Sequence, residues 1–468
     1  MKKLQKNWLL RSNKFCLSFL NPRILICLLV LFSLTIKAQL CFTTPASFSS
    51  ISAVFGICKA DFNGDGNLDI ASNHSWQDGN ILLGTGTGSF MSATNFTTVG
   101  GYTTPVFSSV VSADYNNDLN ADLAVITSSL IEIFLGNGTG TFSIPNSTIT
   151  VSANALITSD FNLDGNPDLA VADKGLNSVS VFLGNGIGNF ASATSYSVGS
   201  SSDLISADFN ADGNPDLATT NSSNVSVLLG TGTGLFSSPS NFPVANNMLA
   251  LAGGDFNNDG NMDLASVNYG TVSVLIGNGL GSFGTVVNYT IGTSVAINDI
   301  LITDLNSDAK ADIAVADYIS NSFYVLLGDG AGNFSAPFIF GNAAGDPWAI
   351  IYGDFDNDSK PDIVTGADNS PVGISVFLNC STVGITDKSI TKEMKIFPNP
   401  VSTILHVESL NVFEQDTRIE IINYLNQIVL KTSFKNEIDV SSLANGVYFI
   451  NLINQNNERI TKKLVINR

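Results

Sequence analysis

Residues Asp61–Asp69 read DFNGDGNLD, with Asp, Asn, Asp and Asp at positions 1, 3, 5 and 9 of the stretch. Carboxylates this close repel one another unless something positive sits among them. Oxygen donors at 1, 3, 5 and 9, with a backbone carbonyl at 7, suit a hard cation such as Ca2+, which takes about six to eight oxygens in a flexible cage. The glycine at position 6 allows the sharp turn, and Phe62 reads as an apolar anchor under it. The stretch is not an EF-hand loop, because position 12 is Ser72 rather than Glu and both flanks read as strands. Mg2+ fits less well, since it keeps water and near-octahedral geometry. The alternative without metal is a set of Asp/Asn turns.

The stretch recurs at Asp114, Asp160, Asp208, Asp255, Asp304 and Asp354, at spacings of 53, 46, 48, 47, 49 and 50 residues. Such a period signals a repeat architecture. The expected ligands are Asp61, Asn63, Asp65 and Asp69; Asp114, Asn116, Asp118 and Asp122; Asp160, Asn162, Asp164 and Asp168; Asp208, Asn210, Asp212 and Asp216; Asp255, Asn257, Asp259 and Asp263; Asp304, Asn306, Asp308 and Asp312; and Asp354, Asp356, Asp358 and Asp362. Up to seven Ca2+ would be held. Leu119, Ala309 and Ser359 replace the glycine in three copies and weaken those loops. Lys310 and Lys360 fall at the backbone-ligand position, and no lysine or arginine is read as neutralising the carboxylates.

Six copies are followed by a glycine turn, as in ILLGTGTGSF from Ile81 and VFLGNGIGNF from Val181. The seventh ends in VFLNC, Val376–Cys380, while residues 42–53 resemble the stretch after the turn in the other copies. Each unit reads as four strands, which predicts an all-β, seven-bladed β-propeller. An N-terminal strand would complete the last blade and remove the open edge. Cys41 and Cys380 flank the two ends of the ring and are expected to pair, the alternative being two free thiols. Cys58 aligns with apolar residues in the other copies and reads as core.

The aspartate loop plus the G-N-G-x-G-x-F turn resembles the FG-GAP and VCBS-type repeats of the integrin α-subunit propeller, over about residues 42–380. That resemblance implies a calcium-binding propeller and says nothing of the ligand. After Cys380 the texture changes. Phe397, Pro398, Asn399 and Pro400, then Gly446, Val447, Tyr448 and Phe449, then a basic end resemble the C-terminal sorting domain of the type IX secretion system. This implies handling by that machinery, followed by secretion or display at the outer cell surface. The expected organisation is a signal peptide over 1–38, the propeller over 39–380, a linker over 381–393 and the sorting domain, a small β-sandwich, over 394–468. Basic residues precede the apolar run 24–36, which is short for a membrane span of about 20 residues, so no stable span is expected after cleavage.

The formal charge of the chain is −19. Nucleic-acid binding through a basic surface is disfavoured. No hydrolase elbow, zinc-protease motif or phosphate loop is present, and no catalytic residue is assigned. The face opposite the aspartate loops should carry His74, Trp76, Tyr102, Tyr269, Tyr318 and Trp348. Such aromatics suit sugar stacking or protein contact. The expected function is noncovalent recognition or adhesion, of glycan or protein. The alternatives are a calcium-dependent polysaccharide lyase and a purely structural surface protein.

Overall fold

Val, Ile and Leu alternate with Ser, Thr and Ala between the glycine- and asparagine-rich turns, a pattern that builds short strands buried on both faces. In the computed structural model the described residues are 40–467, apart from 51–52, 75–77, 101–109, 143, 174, 245–247, 293–296, 343–344, 369–371, 382–392, 411–417, 424–426 and 454–458. The 1–38 segment, Trp76 and Tyr102 lie outside them. The described residues are all-β and divide into two compact units after residue 384.

The first unit holds seven four-stranded antiparallel sheets, numbered here as blades by their aspartate loops. Blade 1 comprises Val54–Ala60, Asp69–His74, Asp78–Leu82 and Thr94–Thr97, in that order from inside to outside. The innermost strand of each blade packs against that of the next, and Pro347–Gly353 of blade 7 packs against Val54–Ala60 of blade 1, which closes the ring. Blade 7 takes its outermost strand from the other end of the chain: Ala46–Ser49 pairs with Val372–Phe377. Cys41 and Cys380 form a disulfide with a Cα–Cα distance of 5.0 Å.

The inner strands line a cavity of about 450 Å³. Cys58 lies on its wall beside its counterparts Val111, Ile157, Ile205 and Ile351, half-buried and packed against the core that holds Phe62, Ala71 and Leu123, as the register suggests. Burial pushes its thiol up to about 12.

The second unit pairs a three-stranded sheet, Glu393–Phe397, Ile404–Leu410 and Glu437–Asp439, with a four-stranded one ordered Ile428–Ser433, Arg418–Ile422, Gly446–Ile453, Arg459–Ile466. Leu405 and Val407 from the first sheet and Ile419, Ile421, Ile450 and Leu464 from the second share one core. Asn399 explains part of the FPNP motif. Its amide donates to Lys463 O at 2.8 Å, and its oxygen accepts from Val465 N–H at 2.8 Å, so the motif is stitched to the last strand.

Candidate metal centres

Each aspartate loop joins the first and second strands of its blade, and each glycine turn joins the third and fourth, so both lie on one face. The ninth-position carboxylate couples them. Asp69 Oδ2 accepts from Phe62 N–H at 2.8 Å and Asp69 Oδ1 from Gly84 N–H at 2.7 Å. Asp122, Asp168, Asp216, Asp263 and Asp312 repeat this pair of bonds with the corresponding loop and turn amides. All seven ninth-position aspartates are fully buried. Desolvation raises their carboxyls, to about 6 for Asp168 and Asp216 and about 7 for Asp312, against the lowering pull of the two N–H donors. Glycine starts the turn for a steric reason: a Cβ at Gly84 would sit 2.1 Å from Leu68 O.

The remaining donors lie nearer the surface, half-buried or exposed apart from the buried Asn306, and knit the loop to itself. Asp61 Oδ1 accepts from Asp65 N–H at 3.1 Å and Asp61 Oδ2 from Gly66 N–H at 2.8 Å. Asp65 Oδ1 accepts from Asn67 N–H at 2.8 Å, which holds its carboxyl below the usual range. Asn63 Oδ1 accepts from Asp65 N–H, and its amide donates to Asp65 Oδ2 at 3.1 Å. The same set runs through the loops at Asp160, Asp208 and Asp255.

The donor set fits a hard cation: it is all oxygen, and each loop concentrates three or four carboxylates. In loop 7 one carboxylate oxygen each from Asp354, Asp356 and Asp362 lies within 4.8 Å of the others, the one such group of His, Cys, Asp or Glu among the described residues. Desolvation, then Asp358, raises the Asp356 carboxyl.

The lysines depart from the sequence reading. Lys360 Nζ lies 2.7 Å from Asp358 Oδ2, and Lys310 Nζ lies 3.6 Å from Asp308 Oδ2. Both loops therefore carry an internal cation that supplies part of the neutralisation otherwise left to a metal.

The loops also join the blades. Position 2 is Phe62, Tyr115, Phe161, Phe209, Phe256, Leu305 or Phe355, and all seven are buried. The carbonyl of each aromatic one accepts an N–H from the next blade's glycine turn, as in Gly140 N–H to Phe62 O at 2.9 Å and Gly88 N–H to Phe355 O at 2.9 Å. The ring meets the turn's phenylalanine edge-on, as in Phe161–Phe236, 5.5 Å between centroids at 72°, except that Phe355 and Phe90 are tilted at 57°.

On the opposite face Tyr269 is exposed. Trp348 is the bulged residue of its strand. It is wedged edge-on between Phe55 at 5.5 Å and Tyr318 at 5.4 Å, joining blades 6, 7 and 1. His74, expected on that face, is fully buried against Ser72 Oγ at 3.0 Å, and burial lowers its imidazole to about 4.

Sequence reasoning missed two further carboxylates. Asp203 and Asp299 stand five residues before loops 4 and 6, where other blades have Gly56, Ala155, Ala250 and Ala349. Asp203 accepts from Leu204 N–H and from Leu251 N–H of blade 5, both at 2.9 Å. Asp299 accepts from Ile300 N–H at 2.8 Å and from Ile350 N–H of blade 7 at 2.9 Å. Each bolts neighbouring blades at the wall of the central cavity. Desolvation raises both carboxyls to about 7. An aspartate in a register of small residues was the available signal.

Comparison with known proteins agrees with this geometry. The FG-GAP-like repeat family matches residues 61–125, 208–266, 255–315 and 304–365, and the secretion system C-terminal sorting domain matches 395–467. Two similar solved chains come from crystal structures of BBS1N in complex with ARL6DN, soaked with mercury or with lead. They are 10% identical, with TM-scores of 0.51 and 0.52, and each match covers 74% of this chain and 100% of the other. An Agrocybe aegerita lectin described as recognising non-reducing terminal N-acetylglucosamine is 18% identical at a TM-score of 0.46, covering 68% of this chain and 87% of its own. No curated protein matches. The sorting domain marks the chain for secretion or display at the cell surface. No helix among the described residues is long and apolar enough to cross a membrane. The chain thus carries FG-GAP-like repeats on a seven-bladed β-propeller and a type IX secretion-system sorting domain at its C-terminal side.

Proposed function

We propose that this exported propeller is a noncovalent recognition module, for glycan or protein, whose aspartate loops take up Ca2+ as clasps between blades. Positions 1, 3, 5 and 9 and the carbonyl of position 7 would hold the ion, as in Asp160, Asn162, Asp164, Asn166 and Asp168. The ion would supply positive charge where three carboxylates meet. What carries the reading is the pair of hydrogen bonds that the ninth aspartate accepts: a group that would share the cation also holds its own glycine turn and the amide of the aromatic that receives the next blade. Occupancy at the rim would then stiffen the ring and hold the opposite face in shape for a ligand.

Noncovalent binding is favoured over lyase chemistry by the state of the described basic groups outside the loops. Lys59 lines the central cavity and burial lowers its amine, but that amine is committed to Tyr352 O and lies 4.2 Å from that ring's centroid, and His74 is fully buried. Lys174, Lys388 and Lys392 lie outside the described residues.

The test is elemental analysis of the purified mature chain, then its binding to a glycan and matrix-protein array with calcium and with chelator. The reading expects several calcium ions per chain and a calcium-dependent hit. A metal-free protein with an unchanged melting temperature in chelator would refute the clasps. Silence across the array from calcium-loaded protein would refute recognition.

A further inference from the structure

The loop face is not symmetric around the ring. At the tips of loops and turns in blades 2 to 5 stand Leu119, Leu163, Ile187, Leu235 and Leu280, exposed by 93%, 55%, 64%, 54% and 75%. At the same places in blades 6, 7 and 1 the chain has Ser307, Ala309, Ala331, Asn357, Ser359, Gly64, Gly66 and Thr87. The aliphatic tips are brought together by the junction between blades, where each turn seats on the preceding loop. Gly188 N–H donates to Tyr115 O at 2.8 Å, which sets Ile187 on the loop of Leu119. Gly234 N–H donates to Phe161 O at 3.0 Å, which sets Leu235 on the loop of Leu163, and Gly281 N–H donates to Phe209 O at 2.9 Å, which adds Leu280 at the next junction.

Two of these residues are there against local preference. Leu119 has φ +69° and Leu163 has φ +59°, the left-handed region that glycine or asparagine fills in most other copies. A leucine there is strained, and with most of its surface in water it recovers little by packing. Five exposed aliphatics in one arc form the kind of patch that marks an interaction surface.

Charge selects the occupant. Loops 2 to 5 and turns 3 to 5 contain no lysine or arginine, whereas loops 6 and 7 carry Lys310 and Lys360. Each of loops 2 to 5 has three carboxylates, so it stays negative even with a divalent cation bound. The arc is therefore apolar and acidic with or without metal. A second copy would bring like charge against like, and an anionic lipid surface would meet the same sign. Sugars stack on aromatic rings, and the arc has none. Beside it, a depression of about 540 Å³ is lined by Leu119, Asp61, Asp114 and Lys59, whose amine is held by Tyr352 O.

We propose that the arc of Leu119, Leu163, Ile187, Leu235 and Leu280 on the loop face is a docking surface for a basic polypeptide segment bearing aliphatic side chains. Its aliphatics cover the tips while its lysines or arginines meet the loop carboxylates. The proposal does not depend on cation occupancy.

The test uses the full mature chain and two labelled synthetic peptides of equal charge, one of Lys and Leu and one of Lys and Ser, read by fluorescence anisotropy with calcium and with chelator. The Lys/Leu peptide should bind at least about tenfold tighter. The variant Leu119→Gly, Leu163→Asn, Ile187→Thr, Leu235→Ser, Leu280→Thr installs residues already found at those places in other blades and leaves every charge in place. It should fold as well or better, by circular dichroism and melting, and lose that preference. Equal binding of the two peptides, or a preference that survives in the variant, overturns the proposal. So does calcium-dependent sedimentation with phosphatidylglycerol vesicles in place of peptide binding, or self-association that the variant abolishes without any peptide preference.

Discussion

Blades 1 to 6 end their third strand in glycine and hand an N–H to the preceding loop, whereas blade 7 ends in Asn379 and has no turn to offer. The bonds are nevertheless kept, by different atoms. Asn379 N–H donates to Asp362 Oδ1 at 2.7 Å, as the glycines do elsewhere. Its side-chain amide donates to Leu305 O at 2.9 Å, the role that Gly332 N–H plays toward Phe256 O. The same amide reaches Pro361 O at 2.9 Å, the equivalent of the carbonyl that a Cβ at Gly84 would strike. Phe42, from the other end of the chain, bridges to Asn379 as Phe90 does to Gly84. Leu305, the one aliphatic at position 2, sits at this seam in the core against which Phe42 packs. What is conserved around the ring is a set of satisfied backbone groups rather than a motif.

Releasing the disulfide that ties the seam should cost more than breaking any internal junction. The replacement Cys380→Ala releases a closure across 339 residues and should cost on the order of 5 kcal/mol by the chain-entropy argument, read by denaturant unfolding with and without reductant. An equal midpoint in both conditions would deny the seam its role. Next comes Asp168→Ala at an internal junction. It strips two amides of their shared carboxylate and should cost about 3 kcal/mol, with loss of about one calcium by elemental analysis if the clasp reading holds.

The bolts can be compared through pH. The folded carboxyls of Asp203 and Asp299 lie at about 7, above an unfolded value of about 4. The folded state then binds more protons between those values, so their contribution to stability is present below about pH 4 and is lost as pH rises through about 7. Cys58 and Lys59 share the cavity wall. The advantage of the chain over Asp203→Asn in unfolding free energy should shrink as pH rises from 5 to 8, by on the order of 2 kcal/mol. A difference independent of pH would deny the shift. Asp299→Asn, at the seam between blades 6 and 7, should behave alike. The smallest effect is expected from Asn379→Ala, about 1 kcal/mol for the side-chain bonds at the seam, by denaturant midpoint.

The blades were legible because their information is local. A glycine, an asparagine and an aspartate at set offsets define a turn wherever they occur, and seven turns at one period define a ring. The pairing of Cys41 with Cys380 was legible for the same reason, since the register put both at the break. What stayed hidden depends on neighbours in space. Lys310 and Lys360 were read as carrying only a backbone carbonyl, yet their side chains fold back on Asp308 and Asp358. Trp348 was read as one of a set of rim aromatics, with packing under its own loop the alternative for each, and proves to be packed between residues of two other blades. His74 was placed by register at the end of its strand and is covered there. Register tells which end of a strand a residue occupies, not what lies over it.

The shared seventh blade also has a consequence for timing. Ala46–Ser49 belongs to a sheet whose other three strands come last in the propeller's sequence, so no closed ring exists until both ends of the propeller have been made and have met. Every shorter intermediate has an unpaired edge and, at Cys41, an unmatched thiol. The sorting domain comes directly after that last blade in the chain. A chain built this way closes only when its last blade meets its first strand, and the pairing of Cys41 with Cys380, which an oxidising space allows, then locks it.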